Sequence, residues 1–164
     1  DPPMPLQREL LFPNPIQSRP HEAALNVVYT GALLAREAWN FLHPHGLTDS
    51  QFNVLHLLRY QCGPDGTVNQ TRLGRMLLVN RSNVTGLVDR MEQAGWLERL
   101  DDPEDRRVKR IRLTAAGRKT LDRADRAYMK RVEEVMGALS AKEQDELCRL
   151  LEKLRKPLNE PTGD

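Results

Sequence analysis

Between Asn80 and Gly117 the chain reads NRSNVTGLVDRMEQAGWLERLDDPEDRRVKRIRLTAAG, a helix-like segment followed by two strand-like segments. The first part repeats apolar residues at steps of three and four, the spacing of one buried helix face: Val84, Leu87, Val88 and Met91. Gly95 lies just after this pattern, at a position where glycine commonly ends a helix. The pattern therefore predicts an amphipathic helix that ends near Gly95.

The second part of this segment has the pattern of a β-hairpin. Two stretches, Trp96–Leu100 and Arg107–Leu113, are separated by the acidic link DDPED, whose residue types favour a turn. The run Arg106–Arg112 carries five positive charges in seven residues. We therefore predict a two-stranded ribbon with a basic return strand.

A second, shorter helix is predicted just before this segment. Asn69 can cap it, and Leu73, Met76 and Leu77 form its buried side. A tight connection at Leu78–Asn80 then leads into the longer helix. Two helices joined in this way form a helix-turn-helix arrangement, in which the second helix enters the DNA major groove. The opposite face of that helix offers these predicted DNA contacts: Arg81, Ser82, Asn83, Thr85, Gly86 and Arg90. The alternative is an ordinary amphipathic helix whose polar face is solvated.

The basic ribbon adds a second predicted contact with DNA. Asp105 stands two residues before Arg107, close enough for its carboxylate to hold the guanidinium in a fixed pose. A positioned arginine suits the narrow, electronegative minor groove. The predicted contacts of the ribbon are Asp105, Arg106, Arg107 and Lys109. The alternative is a solvated hairpin with internal salt bridges.

Helical patterns flank the central segment on both sides. From His21 to Leu42 an apolar stripe follows helical spacing: Leu25, Val28, Ala32, Ala35, Trp39 and Leu42. Thr48–Gln51 and Ser140–Glu143 have the pattern of capping boxes that open two further helices. A long helix is predicted over Leu121–Leu139. Six of the eleven prolines fall in residues 1–20, which we interpret as an arm.

Composition excludes several classes of protein. A length of 164 residues predicts one compact domain, and no apolar run reaches the roughly 18 residues that span a bilayer. The 25 basic and 23 acidic residues nearly cancel, so only their distribution is informative. Glycine-rich phosphate loops, GxSxG and HExxH are absent from the sequence. We expect a cytoplasmic protein that is not an enzyme and needs neither cofactor nor metal.

The segment Leu47–Gly117 resembles the winged-helix core of the MarR family of bacterial transcription regulators. The resemblance covers LTDSQFNVLHLL at its start, then Asn83-Val84-Thr85 and Glu92-x-x-Gly95. Its most specific part is Asp105-x-Arg107, followed after five residues by Leu113-Thr114. The flanking helices match the family by pattern only.

This resemblance implies a mainly α fold of six helices with a small β-hairpin wing. The helices at both chain ends would form a dimerisation region. The implied parts are an arm (1–20), the dimerisation region (21–47 and 115–157), the winged helix-turn-helix domain (48–114) and a tail (158–164). The family binds palindromic DNA as homodimers, and members mostly repress until a small phenolic or other anionic effector binds. In this chain Arg107 would enter the minor groove and Asp105 would orient it. Ser82, Asn83, Thr85 and Arg90 would face the major groove.

The sequence offers three candidate ways of sensing a signal: an effector pocket, a reactive thiol and a metal site. Trp39 and His56 are the candidates for an effector pocket, although both fit an ordinary core. Thiol sensing would require Cys62 or Cys148, neither of which has an activating neighbour in the sequence. A metal site at His43, His45, Asp49 and Cys62 is a weaker interpretation than a helix end capped by His-Pro-His. Outside DNA binding, the alternatives are a winged-helix protein-interaction module and a small hydrolase.

Overall fold

The computed structural model describes residues 5–63, 66–77, 84–105 and 107–159, which fall into two compact units divided after Ala124. The first unit contains α1 (Pro5–Glu9), α2 (Arg19–Leu42), a 3-10 turn (His43–His45), α3 (Asp49–Tyr60), β1 (Thr67–Asn69), α4 (Gln70–Met76), α5 (Val84–Gln93), β2 (Leu97–Asp101), β3 (Lys109–Leu113) and α6 (Ala115–Asp122). The second unit contains α7 (Asp125–Met136) and α8 (Ala141–Asn159). The prediction of a mainly helical fold with a small β wing is confirmed.

The sheet has three antiparallel strands in the order β1-β3-β2, one strand more than the predicted ribbon. Ile111 in β3 lies opposite Val68 on one side and Arg99 on the other. β1 has only three residues, too few to show the alternation by which strands are recognised in sequence. Because β1 leads directly into α4, this pairing attaches the start of the helix-turn-helix to the wing.

The core of the first unit lies where α3, α4, α5 and α6 meet the sheet. Its most deeply buried side chains are aliphatic or methionine: Leu42, Leu47, Val54, Leu55, Leu73, Val88, Met91, Ile111, Leu113 and Leu121. On α5 the predicted apolar face is confirmed, since Leu87, Val88 and Met91 are buried. Val84, at the start of α5, is half-buried.

Replacing Leu87 with alanine is expected to lower the free energy of unfolding by about 2–5 kcal/mol, because Leu87 is only 7% exposed. Chemical denaturation of the two proteins measures the difference. The control is Arg90→Ala on the exposed side of α5, for which the change should stay within about 0.5 kcal/mol. Equal unfolding curves for Leu87→Ala and the unmodified protein would contradict the assignment of the α5 faces.

The predicted helix caps are confirmed by hydrogen bonds. Gln51 N–H donates to Thr48 Oγ1 at 3.3 Å, and Thr48 N–H donates to Gln51 Oε1 at 3.0 Å, so the capping box of α3 is complete. The Asn69 side chain accepts from Arg72 N–H at 2.7 Å at the start of α4. Gly95 follows α5 with a φ of +73°, a conformation that glycine adopts without strain. The predicted connection Leu78–Asn80 lies outside the described residues.

The single long helix predicted over Leu121–Leu139 is wrong. α6 ends at Asp122, and α7 begins at Asp125 after a turn in which Ala124 N–H donates to Leu121 C=O at 2.9 Å. This bond spans three residues, so the turn is tighter than an α-helix. The apolar residues keep their spacing of three and four positions across this turn, so their spacing did not reveal the break in the helix.

Residues 5–18, which precede α2, contain a helix and two buried side chains despite their prolines. The helix is α1, and the buried side chains are Leu6 and Ile16. α2 begins at Arg19, two residues before the predicted start, with the Ser18 side chain accepting from His21 N–H. Glu22 in the first turn of α2 is buried and pairs with Arg19 at 3.1 Å.

The apolar stripe predicted on α2 is mostly exposed within this chain. Leu42 is buried, whereas Trp39 is 48% and Val28 is 70% exposed. Ala32 and Ala35 are also exposed, and Leu25 is half-buried. The sequence left open whether this face is covered within one chain or between two. In a single chain most of it remains accessible.

Candidate nucleic-acid interface

α4 and α5 form the helix pair of the predicted helix-turn-helix. Gly74 of α4 is buried against the start of α5, where a Cβ on it would meet the Val84 methyl groups at 3.5 and 3.8 Å. Leu73 and Leu77 supply the rest of the buried side of α4. The predicted contacts Arg81, Ser82 and Asn83 precede Val84 and lie outside the described residues, as does Arg106.

The exposed side of α5 carries the predicted contacts that the structure describes. Thr85 and Arg90 are exposed, and Gly86 is half-buried. The Thr85 hydroxyl accepts a hydrogen bond from Gln70 Nε2 at 3.0 Å. The Arg90 side chain makes no hydrogen bond or ion pair with any described residue, so its guanidinium is available to a phosphate group or a guanine.

Arg99 of β2 joins the wing to α5. Its guanidinium pairs with Asp89 at 2.5 Å and with Glu92, and its N–H donates to Glu92 Oε1 at 3.2 Å. Burial lowers the pKa of Arg99, but hydrogen bonds and charges from Asp89 and Glu92 outweigh it and raise the pKa overall. Arg99 therefore stays charged and fixes α5 against the sheet.

The tip of the wing is organised by aspartate side chains that accept from the backbone. Asp102 Oδ1 accepts from the N–H groups of Glu104 and Asp105 at 2.9 and 3.2 Å. Asp105 Oδ1 accepts from Arg107 N–H at 2.9 Å. We predicted that Asp105 would hold the Arg107 guanidinium, but within the described residues it holds the Arg107 backbone. A separation of two residues in a turn brings the carboxylate to the amide, as is usual for aspartate.

Three further cations of the described part of the wing are paired across the hairpin. Lys109 pairs with Asp101, Arg110 with Asp102 at 3.3 Å and Arg112 with Glu98 at 2.8 Å. Arg107 is exposed and has no acidic partner in the part of the chain that the structure describes. Lys109, which we predicted to contact DNA, thus has its charge offset by Asp101, whereas the charge of Arg107 is available at the wing tip.

Comparisons with known proteins identify this arrangement. The model of the MarR family matches residues 47–109, from the start of the winged helix-turn-helix into β3. The chain is 37% identical over 109 residues to the uncharacterised HTH-type transcriptional regulator YkoM of Bacillus subtilis, covering 66% of this chain and 68% of YkoM. The chain belongs to the MarR family. It is a transcription regulator, so the prediction of a regulator rather than an enzyme is confirmed.

Solved structures have the same fold as this MarR-family chain. A mutant of MarR from Escherichia coli, complexed with operator DNA, is 25% identical with a TM-score of 0.67; the match covers 92% of this chain and 99% of that chain. The organohalide-sensing regulator RdhR-CbdbA1625, in its 2,4-dichlorophenol-bound form, is 23% identical with a TM-score of 0.75, covering 93% and 92%. Both matches extend beyond the region covered by the family model.

The two effector candidates of this MarR-family chain lie in separate aromatic stacks. Trp39 of α2 stacks on His43, with ring centroids 4.5 Å apart and planes 18° apart. His56 of α3 lies between Phe52 and Tyr60, at centroid distances of 5.7 and 4.6 Å. The core alternative is wrong for Trp39, which is about half exposed, while His56 is half-buried.

The candidates for thiol and metal sensing gain no support from the geometry. Cys62 is half-buried, with its Sγ 3.7 Å from Leu57 C=O, and Cys148 is exposed on α8. Among the described residues, no group of three or more histidine, cysteine, aspartate or glutamate side chains could hold a metal ion. His43–His45 form the 3-10 turn that ends at Gly46, which has a φ of +72°. Within the described ranges, no helix is long and apolar enough to cross a bilayer.

Sequence reasoning missed two side chains that shape this interface. Gln70 follows the cap of α4 and looks like an ordinary first-turn residue, and Arg99 looks like one of many cations around the wing. Their roles arise from contacts between elements, over 15 residues for Gln70 with Thr85 and 29 for Arg99 with Gln70. No periodicity or motif in the sequence signals such contacts.

Proposed function

We propose that this MarR-family regulator is a homodimer that binds a palindromic operator, places α5 in the major groove and inserts Arg107 into the minor groove. The observation that carries the proposal is the contrast within the wing. Lys109, Arg110 and Arg112 have acidic partners, whereas the exposed Arg107 has none among the described residues and its backbone is held by Asp105. A cation kept free at the tip of a fixed turn is suited to a narrow groove of negative potential.

The exposed apolar face of α2 supports the dimer. A helix that presents Val28, Ala32 and Ala35 to water loses the hydrophobic stabilisation that their burial would provide. A second copy of the chain carries the same face, and a two-fold contact buries both at once. The dimerisation region would then be 21–47 with 115–157, and the DNA-binding domain would be 48–114. The arm, 1–20, contributes two buried apolar side chains, Leu6 and Ile16.

We further propose that the regulator represses transcription and leaves DNA when a small phenolic or other anionic effector binds. RdhR-CbdbA1625, which has the same fold, binds 2,4-dichlorophenol. In this chain the aromatic surfaces at Trp39 and His56 are of the kind that stacks on a phenolic ring. Because its target is chromosomal DNA, we place the protein in the cytoplasm.

Selection of duplexes from a random DNA pool tests the proposal. We expect enrichment of a palindrome whose half-sites lie about one helical turn apart, since each protomer reads one half. Affinity for the selected duplex should fall as salt rises, by about 0.9 decades per decade of salt for each phosphate neutralised. Salicylate-like compounds added to the complex should release the DNA.

The pattern of enrichment separates the proposals. A single half-site would contradict the palindrome and the dimeric mode of reading. No enriched sequence, together with binding that does not change with salt, would contradict specific DNA binding and favour a protein-interaction module. A complex that is stable to every phenolic and anionic compound tested would contradict only the proposed effector class.

A further inference from the structure

One line of polar side chains connects the wing, α4 and the exposed side of α5. Thr85, Asp89 and Glu92 are spaced by four and three residues, so they follow one stripe of α5. Arg99 contacts Asp89 and Glu92 on this stripe, and Gln70 contacts Thr85. Arg99 Nη2 also donates to Gln70 Oε1 at 3.5 Å, which closes the line.

Arg99 determines which end of the Gln70 amide faces Thr85. A guanidinium has only donors, so the atom of Gln70 that faces it is the oxygen. Asp89 and Glu92 hold the guanidinium in place, with Arg99 Nη2 2.5 Å from Asp89 Oδ1. The amide nitrogen of Gln70 therefore points to Thr85 and donates to its hydroxyl at 3.0 Å.

The hydrogen bond from Gln70 determines that the Thr85 hydroxyl acts as a donor toward other groups. A hydroxyl has one proton to donate and two positions at which it accepts. Gln70 occupies one accepting position, so the Thr85 hydroxyl does not donate its proton to Gln70. Since Thr85 is exposed on α5, the proton is available to an acceptor on DNA.

We propose that Gln70 is a specificity-determining positioning residue, which keeps the Thr85 hydroxyl as a donor toward the acceptors of one base pair in each half-site. The acceptors in the major groove are N7 of a purine, O6 of guanine and O4 of thymine. Gln70 acts through Thr85 and does not touch the base. This inference rests on the proposed placement of α5 in the major groove.

The test compares Gln70→Ala, Gln70→Glu and Thr85→Val on a set of duplexes that carry every single substitution of the selected operator. Gln70→Ala and Thr85→Val should both reduce the preference for one base pair over the others at the same position of each half-site. The expected reduction is about five-fold, the equivalent of one neutral hydrogen bond. Gln70→Glu offers Thr85 only acceptors, so the hydroxyl turns its proton to the carboxylate. The preference at that position should then shift to bases that donate, adenine N6 or cytosine N4.

The control is Gln93→Ala, which removes the same amide from an exposed position at the end of α5 and should leave every preference unchanged. The double variant Gln70→Ala/Thr85→Val should lose no more of the base preference than Thr85→Val loses alone. Gln70→Ala that weakens all duplexes by one common factor would overturn the inference, because this is the signature of a merely structural role. Thermal melting of each variant accounts for any loss of folded protein.

The two proposals fail in different ways. If the unmodified protein enriches no sequence, the placement of α5 in the major groove fails and this inference fails with it. If it selects an operator but Thr85→Val or Gln70→Ala changes no base preference, only the inference about Gln70 is overturned.

Discussion

Replacing Gly117 with alanine is expected to lower the free energy of unfolding by about 3 kcal/mol, the upper part of the range for an over-packed core. A Cβ at this buried position of α6 would overlap Trp96 O and lie 2.7 Å from Leu113 Cδ1. The Trp96 oxygen cannot move away freely, because it accepts from Thr114 N–H at 3.1 Å just before α6. The clash therefore exceeds the gain of about 1 kcal/mol that alanine normally brings to a helix.

Chemical denaturation measures this loss, and Ala116→Gly is the matched control. Ala116 is the exposed neighbour on α6, so its replacement changes helix propensity without a clash and should cost about 1 kcal/mol. If Gly117→Ala proves less destabilising than Ala116→Gly, then α6 does not approach the Trp96 carbonyl as closely as the structure shows.

Replacing Arg107 with alanine is expected to weaken binding to the selected operator by at least roughly 100-fold at constant salt. A hydrogen bond from a charged group contributes about 1.5–3 kcal/mol, and a dimer loses one such group on each side. The melting temperature should not change, because Arg107 is exposed and its side chain has no partner within the described residues. Titration of labelled operator DNA gives the dissociation constant.

Lys109→Ala removes the same charge two residues away and serves as the control. Asp101 already offsets the Lys109 charge, so we expect less than a roughly three-fold loss of affinity. An unchanged dissociation constant for Arg107→Ala would contradict the minor-groove role. Equal losses for the two variants would show that the wing acts through its overall charge and not through a positioned arginine.

The parts of the fold that the sequence predicted correctly depend on local regularities. Helical spacing indicated the buried face of α5, and residue types at fixed offsets indicated the caps at Thr48 and Asn69. The break between α6 and α7 was missed because the turn at Arg123 and Ala124 leaves the apolar spacing intact. β1 was missed because its pairing with β3 depends on residues more than 40 positions away.

For the candidate site, the sequence indicated residue types but not their partners. It listed both Arg107 and Lys109 as DNA contacts, and only the strand register shows that Lys109 lies opposite Asp101. It also placed Asp105 near Arg107 without showing that the carboxylate accepts from the backbone. The pairing of Lys109 with Asp101 follows from the register of β2 against β3, which no local pattern encodes, whereas the Asp105 contact is a local feature of the turn.

The bond between Gln70 and Thr85 has a consequence for how regulators of this kind could diverge. A substitution at Thr85 alone would leave the Gln70 amide without its acceptor, and a substitution at Gln70 alone would free the hydroxyl to turn. A change of recognised base is therefore expected to begin at either position and to favour a matching change at the other. Across descendants of this protein that adopt new operators, residues 70 and 85 should covary, while the partners of Arg99 at 89 and 92 remain constant.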